Sequence, residues 1–335
     1  MSRDYSTEIE RFARVAQPYL PYALFPLGLY GAAKLLSYLI PGAHRQRKMN
    51  LKDRTVLITG ASTGLGRAMA FVFYEKGAKV ILTARSIEQL QALCEELQKT
   101  GQEKGWNNPH KPEFKYLDLV DLVDDAVATK QLNEIKLLAL NDGRIDVLIN
   151  NAGLSNRGSC VDTDVSVQRK IFDVNYFGAV AVTKAVYDAI PDDGAIVTIG
   201  SIQSKVALPY RSAYSASKHA ITAFMDSLRA EDRPALQVLN VYAGYMNTGF
   251  GSRALTADGK THGIQDKNQL KGYTPEYSAR TIILALCNRK SELILAPITS
   301  SLAIWLRLLT PNFLNWILHR RATKEIAEYK QQKNE

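Results

Sequence analysis

Between residues 50 and 300 the chain repeats one pattern: a short, apolar, β-branched run, then a longer segment with apolar positions three or four residues apart. The runs are Thr55–Thr59, Ala78–Thr83, Phe114–Leu117, Ile145–Ile149, Ala195–Ile199, Val238–Tyr242 and Glu292–Ala296. Continuous apolar runs of this length, bounded by Gly, Asn, Asp or Ser, predict strands buried on both faces. The segments between them predict helices, reaching about Lys76 in the first case, then over 87–99, onward to about Leu138, over 164–190, from the Tyr214 region to about Arg229, and over 275–288. Strand and helix in alternation imply a Rossmann-like α/β fold, a doubly wound parallel sheet with helices on both faces. Residues 100–112, rich in Gly, Asn and Pro, predict a surface excursion, and 249–274, with five glycines, predict a mobile loop.

Both ends depart from this pattern. Residues 20–40 are apolar apart from Lys34, and their length matches the roughly 20 residues a helix needs to cross a bilayer. Tyr19, Tyr22 and Tyr38 lie near the ends of the stretch, and its Pro21, Pro26, Gly28 and Gly31 are better tolerated in a membrane than in a soluble helix. A basic run, His44–Lys48 with Lys52 and Arg54, follows it, while Arg3, Arg11 and Arg14 precede it. The expectation is a single membrane anchor ahead of the fold, with the catalytic domain on the cytosolic side; the alternative is an amphipathic hairpin lying on the membrane or on the protein. Residues 298–318 are again apolar, with Trp305 and Trp316, but Pro311 splits them into two helices too short to span. They predict an interfacial membrane contact or packing against a second copy in a homo-oligomer. The chain therefore divides into a tail and anchor segment, 1–49, a catalytic domain, 50–297, and an apolar then basic tail, 298–335.

Charge supports that division. The formal net charge is +9 over 335 residues. Residues 1–50 carry seven Lys/Arg against three Asp/Glu, and 301–335 carry six against three, so the body is close to neutral. A nucleic-acid-binding domain carries its excess on the folded body; here the excess flanks apolar ends, which suits anionic lipid and excludes nucleic acid as the expected partner. Three scattered cysteines, Cys94, Cys160 and Cys287, with no ligand-spaced His/Cys cluster, exclude a disulfide framework and a metal site.

The candidate chemistry sits at the ends of the predicted strands. Gly60-Ala-Ser62-Thr63-Gly64-Leu65-Gly66 follows the first strand and opens a helix. That arrangement offers backbone N–H groups and a helix N-terminus to a pyrophosphate. At the end of the second strand, where dinucleotide folds usually keep a carboxylate for the ribose hydroxyls, the chain reads Ala84-Arg85. A guanidinium there suits a 2′-phosphate and points to NADP(H). Asp118, after the third strand, is placed to accept from an adenine amino group or to cap the next helix. Asn151, Ala152 and Gly153 follow the fourth strand at the crevice. Asn175 lies inside a helical pattern that disfavours it; it holds a kink and a water, or is a satisfied packing amide. Ser201 follows the fifth strand. Tyr214 and Lys218, four residues apart, share a helix face, which sets an ammonium beside a phenol and favours the phenolate.

Taken in order, Thr59–Gly66, Asn150–Gly153, Asn175, Ser201 and Tyr214–Lys218 resemble the motifs of the classical short-chain dehydrogenase/reductases, over roughly residues 50–300. The resemblance implies an oxidoreductase that moves a hydride between NADP(H) and a carbonyl or secondary alcohol. It implies Tyr214 as acid in reduction and base in oxidation, Lys218 lowering its pKa and holding the nicotinamide ribose, and Ser201 gripping the substrate oxygen. It also implies Asn175 anchoring a water-linked proton relay and Thr248 bonding near the carboxamide. The members that this chain looks most like imply an endoplasmic reticulum membrane location. Two departures, Ala243-Gly244 where Pro-Gly is usual and Gly200 where serine is common, bear on geometry rather than on proton transfer. The Ala243 departure, together with the membrane-like ends, also leaves an alternative, a non-catalytic cofactor-binding scaffold or sensor at a membrane. The pocket expected from 154–163, 202–212 and 247–273 reads as lipophilic.

Overall fold

The computed structural model describes residue 15 and residues 17–123, 128–135 and 144–334. A helix α1, Leu20–Leu39, precedes the sheet. Seven strands follow: β1 Thr55–Thr59, β2 Lys79–Ala84, β3 Glu113–Tyr116, β4 Val147–Asn150, β5 Ala195–Ser201, β6 Gln237–Ala243 and β7 Glu292–Leu295. They form one sheet in the order β3-β2-β1-β4-β5-β6-β7, with every pairing parallel. The chain enters at β1, winds outward to β3, then crosses back to β4 and winds the other way. The order therefore reverses between β1 and β4, and that switch point is where an open α/β sheet leaves a crevice at its carboxyl end.

The helices covering the sheet are α2 Gly64–Glu75, α3 Ile87–Glu103, the helical residues 128–135 (α4), α5 Val165–Phe172, α6 Ala179–Val186, α7 Ser212–Ala230 and α8 Pro275–Cys287. Period-two alternation divides each central strand between two cores. Val56, Ile58, Val147 and Ile149 pack with Met69 and Phe73 of α2 and Ile282 and Leu286 of α8. Leu57 and Leu148 face the other way, against Val182 of α6 and Ile221 and Met225 of α7. With apolar residues on both faces, the strands read as unbroken runs, as the sequence shows.

At the amino end of the sheet, one buried carboxylate ties the two central strands. Asp146, immediately before β4 and 2% exposed, accepts the Thr55 N–H at 2.9 Å and the Arg54 guanidinium at 2.5 Å, and also pairs with Arg144. Arg54 reaches Asp193 as well, which holds that carboxyl below its usual range, the hydrogen bond outweighing partial burial.

The sequence pattern and the structure part company in four places. The 164–190 helix is interrupted by one π-helical turn, Asp173–Gly178, between α5 and α6, and Asn175 lies in that turn. Ser201 is the last residue of β5 rather than a loop residue. The 249–274 segment is held by a two-residue parallel ribbon, Leu255–Thr256 against Asn156–Arg157, and a short helix, Lys267–Leu270. Of the helix expected to reach Leu138, residues 124–127 and 136–143 lie outside the described residues.

The fourth difference is the expected membrane anchor. Among the described residues no helix is long and apolar enough to cross a membrane. Residues 20–39 do form a helix of the right length, but Pro21, Pro26, Tyr22, Tyr30, Tyr38, Gly28, Gly31 and Lys34 dilute its apolar character. Lys34 lies 5.5 Å from the Tyr30 ring centroid, on the helix's own surface. The membrane anchor in the fold class, the membrane partner, the transmembrane and signal-anchor character and the endoplasmic reticulum location all rested on that stretch and are corrected with it. Arg3, Arg11 and Arg14 lie outside the described residues. Pro311 does divide the tail, into α9 Ile298–Leu309 and α10 Pro311–Asn334, of which the second is long.

Replacing Asp146 strands a buried N–H and removes the pairing of Arg54 and Arg144. Asp146→Ala is expected to cost about 3 kcal/mol of stability, read as a lower urea midpoint with an unchanged slope.

Candidate active site

The carboxyl ends of β1 to β6 open into one cavity of about 860 Å³. It spans the crevice at the switch point and runs on beneath the C-terminal helices, so the candidate residues from the glycine turn to Thr248 share one space.

The turn after β1 is shaped by what cannot fit there. Gly60 and Gly64 have φ of +64° and +57°, in the left-handed region that disfavours a side chain. A Cβ on Gly66 would lie 2.3 Å from the Gly60 carbonyl oxygen and 2.6 Å from Asn151 Nδ2. The turn is stitched to β4: Thr59 Oγ1 accepts the N–H groups of Asn151 and Ala152 at 3.1 and 3.2 Å. In return Asn151 Nδ2 donates to the carbonyls of Thr59 and Gly60 at 2.9 and 3.0 Å. Asn151 therefore spends its amide on the backbone that forms the cradle. Thr63 begins α2 without a side-chain cap, and no carboxylate lies in the first turn. Ser62, Thr63, Gly64 and Leu65 line the cavity, so the positive end of α2 faces it. Thr248 packs on Gly64, where a Cβ would stand 3.1 Å away. These features fit a dinucleotide phosphate.

Arg85 is exposed at the cavity wall beside Ser86 and Gln89. Ser86 caps α3 by accepting the Gln89 N–H at 3.4 Å. Asp118 lines the same end of the cavity, and its Oδ1 accepts the Val120 N–H at 3.1 Å, so it also holds the turn that follows β3.

On the other side of the switch point, α7 delivers Tyr214 and Lys218, which are 7% and 5% exposed. The helix is aimed by its first turn: Asn156 Oδ1 accepts the Tyr214 N–H at 3.1 Å. Lys218 Nζ donates to the Ile199 carbonyl at 2.8 Å and lies 5.9 Å from the Tyr214 ring centroid. The Ser201 hydroxyl is placed to ease ionisation of the phenol by hydrogen bonding, and it accepts the Gln203 N–H at 3.1 Å. Gln203 in turn accepts from Ser215 Oγ at 2.9 Å, which locks the serine's loop to the tyrosine's helix. Gly200 has its own reason: a Cβ there would stand 2.9 Å from the Val241 carbonyl and 3.1 Å from Ser204 Oγ.

Asn175 turns out of the π-helical turn to hold a backbone. Its Oδ1 accepts the Leu154 N–H at 2.7 Å, while Nδ2 donates to the Leu154 carbonyl at 2.8 Å and to Ser217 Oγ at 2.9 Å. Gly153 separates it from Lys218: a Cβ there would be 3.4 Å from Asn175 Oδ1 and 3.6 Å from Lys218 Nζ. Asn151, Ala152 and Gly153 thus run between the glycine turn and the Tyr/Lys pair.

The electrostatics differ from what spacing alone suggests. Burial pushes the Tyr214 phenol up to about 12, against the pull of the Ser201 hydrogen bond and of the Arg157 and Arg211 charges. Burial also pulls the Lys218 ammonium down to about 8. Desolvation of each group outweighs the attraction that an i, i+4 pair implies.

Two parts of the cavity wall carried no sequence motif. Arg157 and Arg211 line it beside Tyr214, and α9 and α10 close it with Ala303, Leu306, Leu314, Ile317, Leu318 and Arg321. Arg321 donates to the Tyr245 hydroxyl at 2.7 Å. One face of the apolar tail is thus a wall of the pocket, while Ile298, Leu302, Trp305 and Leu308 remain exposed; the expected membrane contact is corrected together with the anchor, no described helix being long and apolar enough to cross a membrane. The three segments expected to form the pocket do so, through Leu154, Ile202, Val206, Leu208, Phe250 and their neighbours, but with more cationic side chains than expected.

The sequence profile of the family described as short chain dehydrogenase matches residues 54–258. Dehydrogenase/reductase SDR family member 7B of Xenopus tropicalis is 43% identical over 312 residues, covering 91% of this chain and 96% of the relative. The mouse protein of the same name is 38% identical, with 91% of each chain covered. Dehydrogenase/reductase SDR family protein 7-like of Anopheles gambiae is 39% identical, with 92% and 94% covered. Among solved structures, the alcohol dehydrogenase of the archaeon Thermococcus sibiricus, complexed with 5-hydroxy-NADP, superimposes with a TM-score of 0.61 at 26% identity, covering 73% of this chain and 96% of that one. A short chain dehydrogenase of Escherichia coli CFT073, complexed with NADPH, gives 0.62 at 26% identity, covering 74% and 98%. With its parallel sheet, its phosphate cradle and its buried Ser/Tyr/Lys cluster in one crevice, the chain belongs to the short-chain dehydrogenases.

Proposed function

We propose that this chain interconverts a carbonyl and a secondary alcohol with NADP(H), and that Tyr214 carries the proton. The observation that carries the reading is the convergence of Ser201, Tyr214 and Lys218 on the cavity that the glycine turn also enters. A nicotinamide supplies hydride donation and acceptance; the protons are left to the protein. The phosphorylated cofactor is supported by Arg85 at the end of β2 and by the NADP-type ligands of the archaeal and bacterial structures.

In the proposed reduction, the substrate oxygen sits against the Tyr214 hydroxyl and Ser201 Oγ. The phenol gives up its proton as negative charge develops on that oxygen, and Ser201, which favours ionisation of the phenol, stabilises both. Lys218, anchored on the Ile199 carbonyl, keeps a positive charge beside the phenolate that forms. Gly60, Ser62, Thr63, Gly64, Leu65 and Gly66 would hold the pyrophosphate, Asp118 would meet the adenine, and Thr248 would bond on the nicotinamide side. Asn151, Ala152 and Gly153 make the floor. Asn175 holds Leu154 in place and neighbours Lys218 across Gly153, a position suited to a proton path through that side of the site. The apolar wall formed by Ile202, Val206, Leu208, Phe250, Leu306 and Leu314 supports a lipophilic substrate.

A panel of apolar ketones, retinoids and steroids incubated with NADPH tests the reading; no turnover of any, with NADPH bound normally, overturns it. Tyr214→Phe is expected to lower kcat by about 10²–10⁴-fold, the usual scale of acid–base catalysis, with NADPH affinity unchanged by fluorescence titration. Arg85→Glu is expected to weaken NADPH about 10- to 100-fold by loss of charge-assisted bonds, with NADH affected far less. With Tyr214 near 12 and Lys218 near 8, both groups are protonated at neutral pH. Carbonyl reduction is therefore expected to be flat through neutrality and to fall as Lys218 loses its proton above about pH 8, whereas alcohol oxidation, which needs the phenolate, rises with pH.

A further inference from the structure

Two arginines of the cavity wall belong to a charged cluster that the mechanism above does not use. Arg157 and Arg211 both approach Asp266 Oδ2, at 3.6 and 3.5 Å, and the three side chains are 13%, 6% and 14% exposed. Arg157 stands on the short strand next to Asn156, the residue that accepts the Tyr214 N–H. Its Nη1 donates to Ser155 Oγ at 3.1 Å and to the Asn156 carbonyl at 2.9 Å, so its direction is set by backbone on one side and by Asp266 on the other. Asp266 belongs to the 249–274 segment and caps its short helix by accepting the Asn268 N–H at 2.9 Å. The neighbouring Gln269 takes the Gly251 N–H at 2.8 Å, one residue from Phe250, whose ring lies 5.9 Å from that of Tyr214.

We propose that Arg157, oriented by Asp266, is a positioning residue of the reaction: it presents a buried positive charge to the Tyr214 phenol and couples that charge to the seating of the 249–274 segment. The inference rests on Tyr214 being the proton carrier. Burying a guanidinium is costly; burial lowers the Arg157 pKa to about 10, which leaves it cationic at neutral pH. A surface arginine could hold the same loop without that cost, so a role toward the group it faces accounts for its place. The groups facing Tyr214 are Ser201 from β5, Tyr245 beyond β6, Lys218 and Arg211 from α7 and the residue before it, and Arg157 from the short strand. Of these charges, Arg157 and Arg211 favour the phenolate, and Arg157 carries a countercharge from the loop. His262, in the same segment, is disfavoured as a cation by burial and by both arginines.

This makes a prediction of opposite signs. Removing Arg157's charge disfavours the phenolate; removing Asp266's charge favours it. The test incorporates 3,5-difluorotyrosine in place of Tyr214 in the full-length protein, which brings the phenol into an accessible range, and follows its ionisation by ¹⁹F NMR. Arg157→Gln is expected to raise the midpoint by about half a pH unit or more, and Asp266→Asn to lower it by a similar amount. Arg157→Lys is expected to leave it near the parent. Unchanged midpoints, or Arg157→Gln and Asp266→Asn moving it the same way, overturn the proposal. If Arg157→Gln does not fold, Asp266→Asn decides by the sign of its shift. Because the readout needs no turnover, it stands apart from Tyr214→Phe, whose retention of activity overturns the catalytic reading and leaves the measured coupling intact.

Discussion

The site depends on how closely two backbones approach at the switch point. Thr59 Oγ1 takes the N–H groups that follow β4, and Asn151 returns its amide to the carbonyls that end β1. Between them there is no room for a side chain at Gly66. This reciprocal bonding satisfies polar groups that would otherwise be stranded at the end of a sheet buried on both faces. It also fixes the separation between the helix N-terminus of α2 and the strand ends that carry the Tyr/Lys side of the cavity. Asp146 performs the matching task at the other end of the same two strands.

The second constraint is desolvation. A tyrosine and a lysine one helical turn apart suggest a phenolate-stabilising pair, yet in the folded protein each is buried and each is pushed toward its neutral form. The phenol is thereby kept as an acid, which suits carbonyl reduction near neutrality. The charges that oppose this are contributed by arginines distant in sequence from one another, brought to the phenol by the first turn of α7 and by a two-residue ribbon. Two basic side chains on the same cavity wall also mean that the pocket is not uniformly apolar, and its C-terminal side sets Arg321 among Ala303, Leu306, Leu314, Ile317 and Leu318.

The apolar ends of the chain show how composition misleads when partners are unknown. Residues 20–39 have the length of a membrane span but carry too many tyrosines, prolines and glycines to meet the apolarity one needs. One side of the 298–318 stretch walls the cavity through Ala303, Leu306, Leu314, Ile317 and Leu318, while Ile298, Trp305, Leu308 and Trp316 stay exposed. A hydrophobic face predicts that something covers it; periodicity does not say whether that is lipid, another chain or the protein's own pocket.

The order and type of the seven strands, the parallel sheet, the glycine turn and the Ser/Tyr/Lys set were all legible in the sequence. Each is a local matter: an apolar run, a residue without a side chain, a spacing along one helix. What only the tertiary structure decided is which distant groups share a solvent-free space. Arg157, Arg211 and Asp266 carry no motif and span more than a hundred positions, yet both arginines pair with Asp266 and line the same cavity as Tyr214. The grip of the Asn175 amide on Leu154, from a π-helical turn, likewise joins positions 21 apart that no local pattern connects. Protonation states followed the same rule, because the cost of burying a charge depends on everything that excludes water around it.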